Sequence, residues 1–113
     1  MGYDVHITRR EDWSDTEGPD IPEADWRSVV EGDPELRLVG AAERATPGGE
    51  ILRYEDQDLA EWSGHPAEDV VWFDFWHGQV IVKNPDELTL AKMRQLARML
   101  QARVQGDDGE FYD

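Results

Sequence analysis

A chain of 113 residues with 26 acidic and 11 basic side chains, a formal charge of −15, carries a field that repels phosphate backbones and anionic lipid. No nucleic-acid and no membrane partner is therefore expected, and a basic protein is what such a charge would attract. The absence of cysteine rules out disulfides, thiolate zinc sites and cysteine nucleophiles, and the length suits one domain, 1–113, with a core of its own.

The chain opens on strand-like residues rather than on a basic region followed by an apolar one, and its longest apolar run, Val70 to Phe73, is too short to cross a bilayer. With the missing cysteines, this sets the expectation of a cytoplasmic protein.

In "YDVHITR", apolar Tyr3, Val5 and Ile7 alternate with Asp4, His6 and Thr8, the period of a strand with one buried face. The polar "REDWSDTEGPD" follows as a loop. Asp20 is expected to cap a helix beginning at Ile21 or Pro22, with Glu23 as capping-box partner and Trp26, Val29 and Val30 on the buried side. Gly32 and Pro34 end it. "LRLVGAAERA" and "EILRYE" read as strands joined across "TPGG", and "DLAEWSG" as a shorter one. "VVWFDFWHGQVIVK", 70–83, reads as a hairpin turning at His77-Gly78.

The next segment has the strongest helical signature. Asn84 is expected as its N-cap, Pro85 at the first helical position and Glu87 closing a capping box. Leu90, Met93, Leu96, Ala97 and Leu100 form its apolar stripe, and Lys92, Arg94 and Arg98 fall outside the stripe's center. A last strand, "ARVQ", precedes "GDDGEFYD". Strand, helix, several turn-connected strands, helix and strand make an α+β fold: a mainly antiparallel sheet with two helices packed on it.

A two-residue turn at 77–78 places Trp76 opposite Gln79, Phe75 opposite Val80, Asp74 opposite Ile81 and Phe73 opposite Val82. One side, with Val71, Phe73, Phe75, Val80 and Val82, is core. The other carries Trp72, Asp74, Trp76, Gln79, Ile81 and Lys83. Indoles on that side are either covered by a loop, for which 11–20 with Trp13 is the candidate, or are offered to a partner. Trp13, among polar neighbours, poses the same choice. Charge is uneven as well: residues 11–35 hold ten acids against Arg27 alone, and 55–74 hold seven acids and no base.

Chemistry is sparse. His6, His65 and His77 are the only side chains that titrate near neutrality, and their spacing matches no zinc motif. "GDDGE", 106–110, lacks the alternating acids of a calcium loop and reads as a turn. There is no phosphate-binding glycine loop and no nucleophile elbow. No catalytic residue, metal ligand or cofactor is assigned, and the chain is not expected to be an enzyme.

"YDVHITR" with the acidic stretch and Trp13 after it, "VIVKNPDE" and "ARVQGDDGEFY" resemble segments of small, acidic, uncharacterised bacterial proteins, some similar to the immunity partners of polymorphic toxins. The resemblance implies a bacterial cytoplasmic protein without a catalytic site and carries over no functional residue. The leading expectation is a binding protein, an immunity-like inhibitor of a basic toxin. Trp13, Trp72 and Trp76 would be its anchors, with Asp12, Asp15, Glu61 and Asp74 in the acidic surround. The alternatives are a structural or regulatory homodimer through the Trp face, and a metal-dependent enzyme using His6, His65 or His77.

Overall fold

Period-two alternation decides the architecture. In a computed structural model describing residues 3–67 and 70–112, β1 (Asp4–Thr8) turns Val5 and Ile7 to one side and His6 and Thr8 to the other. It lies between β7 (Gln79–Lys83) and β8 (Arg103–Gly106), antiparallel to both. β7 continues the sheet to β6 (Val71–Trp76), then to β5 (Ala60–Trp62) and β2 (Leu36–Leu38), giving six strands in the order β2-β5-β6-β7-β1-β8. All five pairings are antiparallel.

The β6–β7 hairpin has the register that its alternation dictates: Trp76 opposite Gln79, Phe75 opposite Val80 and Asp74 opposite Ile81. His77 and Gly78 turn it with φ of 51° and 76°, the doubly positive geometry of a tight hairpin turn. Gly78 is also required by space, because a Cβ there would lie 2.5 Å from Cβ of Asp20.

Only one face of the sheet is apolar, and both helices cover it. Helix α1 (Glu23–Glu31) contributes Trp26, Val29 and Val30, and α2 (Glu87–Met99) contributes Leu90, Met93, Leu96 and Ala97, to one cluster with Val5, Ile7, Phe73, Phe75, Val80, Val82 and Val104. Trp26 stacks on Phe75 with ring centroids 6.2 Å apart, and its indole N–H donates to the Asp58 carbonyl at 2.9 Å. The fold is α+β, as the order of elements implies.

Both expected helix caps shift. Pro22 occupies the α1 cap position with no side-chain capping bond, because Asp20 instead accepts hydrogen bonds from the Arg10 guanidinium. Asp86, not Asn84, caps α2, accepting from the Thr89 N–H at 2.9 Å. Asn84 stands outside the helix with φ 47°, and its Oδ1 accepts the Tyr3 N–H. "LRLVGAAERA" is two strands, β2 and β3 (Ala41–Ala45), divided at Gly40 with φ 75°. β3 pairs with β4 (Ile51–Glu55) in a separate two-stranded ribbon.

Two basic side chains of α2, Lys92 and Arg94, pair within the chain. Lys92, outside the center of the apolar stripe, is buried with its ammonium on the Asp33 carboxylate, and Glu35 lies 3.5 Å away. Arg94 reaches Glu87 and the Tyr112 carbonyl. Glu68 and Asp69, part of the acid-rich 55–74 stretch, lie outside the described residues.

Candidate functional site

With the helices on one side, the opposite face of the sheet is where the polar half of each strand collects. Strand register sets Asp74, Ile81, His6 and Gln105 in one row across β6, β7, β1 and β8. Trp72 is in a neighbouring row with Glu61 and Arg37, and Trp76 is in another with Gln79. Glu61 is engaged by Arg37 at 3.0 Å. Two grooves flank Ile81, which lines both.

The first groove, about 480 Å³, lies between the β3–β4 ribbon and the Trp72 end of the face, with Leu52, Tyr54, Trp72 and Asp74 in its walls. It is the ribbon, not loop 11–20, that approaches Trp72. The Tyr54 hydroxyl donates to Asp74 Oδ2 at 2.8 Å. Indole Nε1 of Trp72 and Oδ1 of Asp74 are closed to solvent and lack a hydrogen-bond partner. Burial, followed by the neighbouring Asp56, pushes the Asp74 carboxyl up to about 6 against the opposing Tyr54 hydrogen bond. Burial, followed by the Asp74 carboxyl to which it donates, raises the Tyr54 hydroxyl pKa.

A carboxyl whose pKa rises on folding holds its proton longer in the native chain, so stability falls as pH climbs from 3.8 to about 6. Asp74→Asn is therefore expected to stabilise the protein on the order of 1–2 kcal/mol at pH 8. Thermal melts should show that gain vanish by pH 4; a gain that persists there would contradict this assignment.

The second groove, about 360 Å³, forms where the loop after β1 folds onto the sheet beside the 77–78 turn. Arg10 ties that loop down, donating to the carbonyls of Asp15 and His77 and to the Asp20 carboxylate. Trp13 is laid on the sheet by three polar contacts. Its N–H donates to Gln105 Oε1 at 2.7 Å, its carbonyl accepts from Gln79 Nε2 at 2.7 Å, and its indole N–H reaches the Asp107 carbonyl at 3.3 Å. The indole stacks on His6, centroids 4.2 Å apart and planes 6° from parallel.

His6 is 4 % exposed, and its Nε2 lies 2.9 Å from Asp107 Oδ1. Burial disfavours the Asp107 carboxylate, but the Asp4 N–H and His6 outweigh it and hold the carboxyl below its ordinary value. Asp12 closes its own turn, accepting from the Ser14 hydroxyl and N–H, which lower its pKa. Asp15 lines the groove. Trp76 stands 55 % exposed on its rim, its ring tilted against that of His77.

The seven residues expected to contact a partner therefore divide. Trp13, Asp12, Asp15 and Trp76 gather around the second groove, Trp72 and Asp74 belong to the first, and Glu61 sits beside Trp72 on the neighbouring strand. Sequence reasoning did not assign Gln79, which anchors Trp13, or Tyr54, which bridges the ribbon to Asp74. The position of Gln79 on the outward side of the hairpin, opposite Trp76, was the available sign of the former.

His6 and His77 both line the second groove, but the third histidine lies apart from them. His65 is buried on the far side of Trp62, its Nδ1 accepting the Ala67 N–H and its Nε2 2.6 Å from Asp86. Among the described residues no group of three or more His, Cys, Asp or Glu is placed to hold a metal ion. The Thr89 N–H, followed by His65, lowers the Asp86 carboxyl to about 2. This depressed pKa stabilises the fold above the ordinary value of 3.8 and loses its effect as pH falls toward about 2. Asp86→Ala should accordingly melt below the wild type at pH 7, with the difference narrowing through that acid window in calorimetry.

No helix among the described residues is long and apolar enough to cross a membrane. The chain matches no protein-family model, no curated protein and no solved structure.

Proposed function

We propose that this is a non-catalytic binding protein of the bacterial cytoplasm, an immunity-like inhibitor that seats a basic protein on the outer face of its sheet around Trp76. The observation that carries this reading is Trp76 itself, an indole left 55 % exposed at the rim of an open groove within a chain of charge −15. A large exposed aromatic beside carboxylates supplies the two parts of such recognition. The ring buries area at low entropic cost, and the charges steer the encounter, by roughly 10- to 1,000-fold in rate at low salt. Ile81, shared by both grooves, extends the apolar contact toward the roughly 800 Å² that a stable interface takes from each partner.

The test is affinity capture from the native host with wild-type and Trp76→Ala baits, washed at low and high salt, followed by reconstitution with the purified captured protein. A basic protein bound by the wild type, released by salt and lost with Trp76→Ala supports the reading. Retention of nothing basic contradicts it.

A second reading, a homodimerising module, is favoured by the β3–β4 ribbon. Its strands pair only with each other among the described residues, and Ile51 and Leu52 stand exposed on it. A two-stranded ribbon alone is marginal in water, and a partner copy would support it. Sedimentation at micromolar concentration separates the readings: a salt-insensitive dimer favours this one.

A further inference from the structure

We propose that the β3–β4 ribbon is a pH-gated flap over Trp72. It rests on the outer face of the sheet while Asp74 and Asp56 hold a proton between them, and it lifts as both ionise. This goes beyond the reading above and needs no partner. The ribbon is built to move as a unit, since β3 and β4 pair only with each other among the described residues. The chain enters and leaves it at one place, where the Asp56 N–H donates to the Gly40 carbonyl at 3.0 Å. Gly40, with φ 75°, makes the bend there. Glu43, Arg53 and Glu55 pair among themselves, and of the side chains described on the ribbon Tyr54 alone hydrogen-bonds to the sheet, at Asp74.

That tie is short of protons. The Tyr54 hydroxyl lies 2.8 Å from Asp74 Oδ2 and 3.4 Å from Asp56 Oδ2, and its single hydrogen fully serves one of them. Asp74 Oδ1 is closed to solvent and has no partner, so water does not solvate that end of the charge. Two carboxylates with one donor between them repel, whereas a shared proton turns the contact into a hydrogen bond. Apolar contact does little to oppose the repulsion. Leu52 and Tyr54 line the groove beneath the ribbon, yet they remain 57 % and 47 % exposed.

The direction of the gate follows from linkage. With the ribbon docked, burial and then Asp56 hold the Asp74 carboxyl at about 6. Lifting the ribbon takes Tyr54 away and admits water to the carboxylate, which returns it toward 3.8. Docking is therefore strongest below 3.8 and weakens as pH rises through about 6, by roughly 100-fold in its equilibrium constant. The surrounding charges act in the same sense or are already engaged. Asp58, in the turn at the ribbon's base, adds to the repulsion and is itself raised to about 6 by burial and Glu23 against Arg27. Arg53 is held by Glu43 and Glu55, and Lys83, which also lines the groove, lies 4.0 Å from Asp4. His6 stands in the same row as Asp74, beyond Ile81.

The experiment follows the intact protein by NMR from about pH 4.5 to about pH 8 in the presence of a neutral, soluble paramagnetic agent. It reads the broadening of the Trp72 indole N–H and the cross-relaxation between the Tyr54 ring and the Asp74 β-protons. Broadening of Trp72 should rise several-fold by about pH 7 as the Tyr54 cross-relaxation fades, while the core indole N–H of Trp26 stays shielded and reports an intact fold. Asp74→Asn keeps an acceptor for Tyr54 without the charge, so Trp72 should remain shielded to the end of the range. Tyr54→Phe removes the tie, and Trp72 should be broadened already at the acid end. Equal broadening of Trp72 across the range in the wild type overturns the flap. So does a transition that survives in Asp74→Asn, or a Trp72 that stays shielded in Tyr54→Phe.

Discussion

Replacing Lys92 by methionine is expected to destabilise the protein by about 3–5 kcal/mol, a large part of the roughly 5–15 kcal/mol of a domain this size. The ammonium of Lys92, carried by α2, is buried on the carboxylate of Asp33, which follows the end of α1. Removing it leaves a carboxylate inside the protein with, among the described residues, the Glu35 N–H as its remaining donor. The double variant Lys92→Met, Asp33→Asn should recover most of the loss, because a neutral pair has no unpaired charge and Asn can keep the turn bond to Glu35. Urea unfolding of the three proteins measures this. A loss below about 1 kcal/mol for Lys92→Met would mean that the pair behaves as an exposed one.

The pair also predicts acid sensitivity. Burial works against the Asp33 carboxylate, but the Lys92 ammonium and the Glu35 N–H outweigh it and lower its pKa below 3.8. Stability from a depressed carboxyl is complete above that ordinary value and declines as pH drops below it. Acid unfolding of the wild type should thus be steeper than that of the neutral double variant.

The second large effect concerns binding. Trp76→Ala should cost at least about 2 kcal/mol of affinity for the basic partner, or roughly 30-fold, expressed mainly as faster dissociation. The indole is exposed on the side of β6 away from the core, so the melting temperature should stay near that of the wild type. A charge variant such as Asp15→Asn should behave differently, slowing association at low salt and changing little at high salt. Surface plasmon resonance across a salt series separates these signatures.

Periodicity made some of this legible in the sequence. Alternation in 70–83 and the His77-Gly78 pair determine the hairpin register and separate core Phe73 and Phe75 from outward Trp72 and Trp76. The apolar stripe of α2 likewise points to its buried face. Local capping rules failed where distant groups competed: Arg10 drew Asp20 away from α1, and Tyr3 engaged Asn84. Which acid Lys92 pairs with is not legible, because Asp33 lies 59 positions away. The site is harder still. His6, Trp13, Gln79 and Asp107 meet only because loop 9–20 folds back over the sheet, and their contacts join residues 66 to 101 positions apart. Nor does strand pattern reveal that the β3–β4 ribbon, rather than that loop, covers Trp72.

Hydrogen exchange of the protein alone and bound to its captured partner tests the claim of an outer-face interface most directly. Slowed exchange concentrated in 11–16 and 76–81, with α1 and α2 unchanged, is the predicted result. Protection confined to the helices, or none at all on mixing, would contradict it.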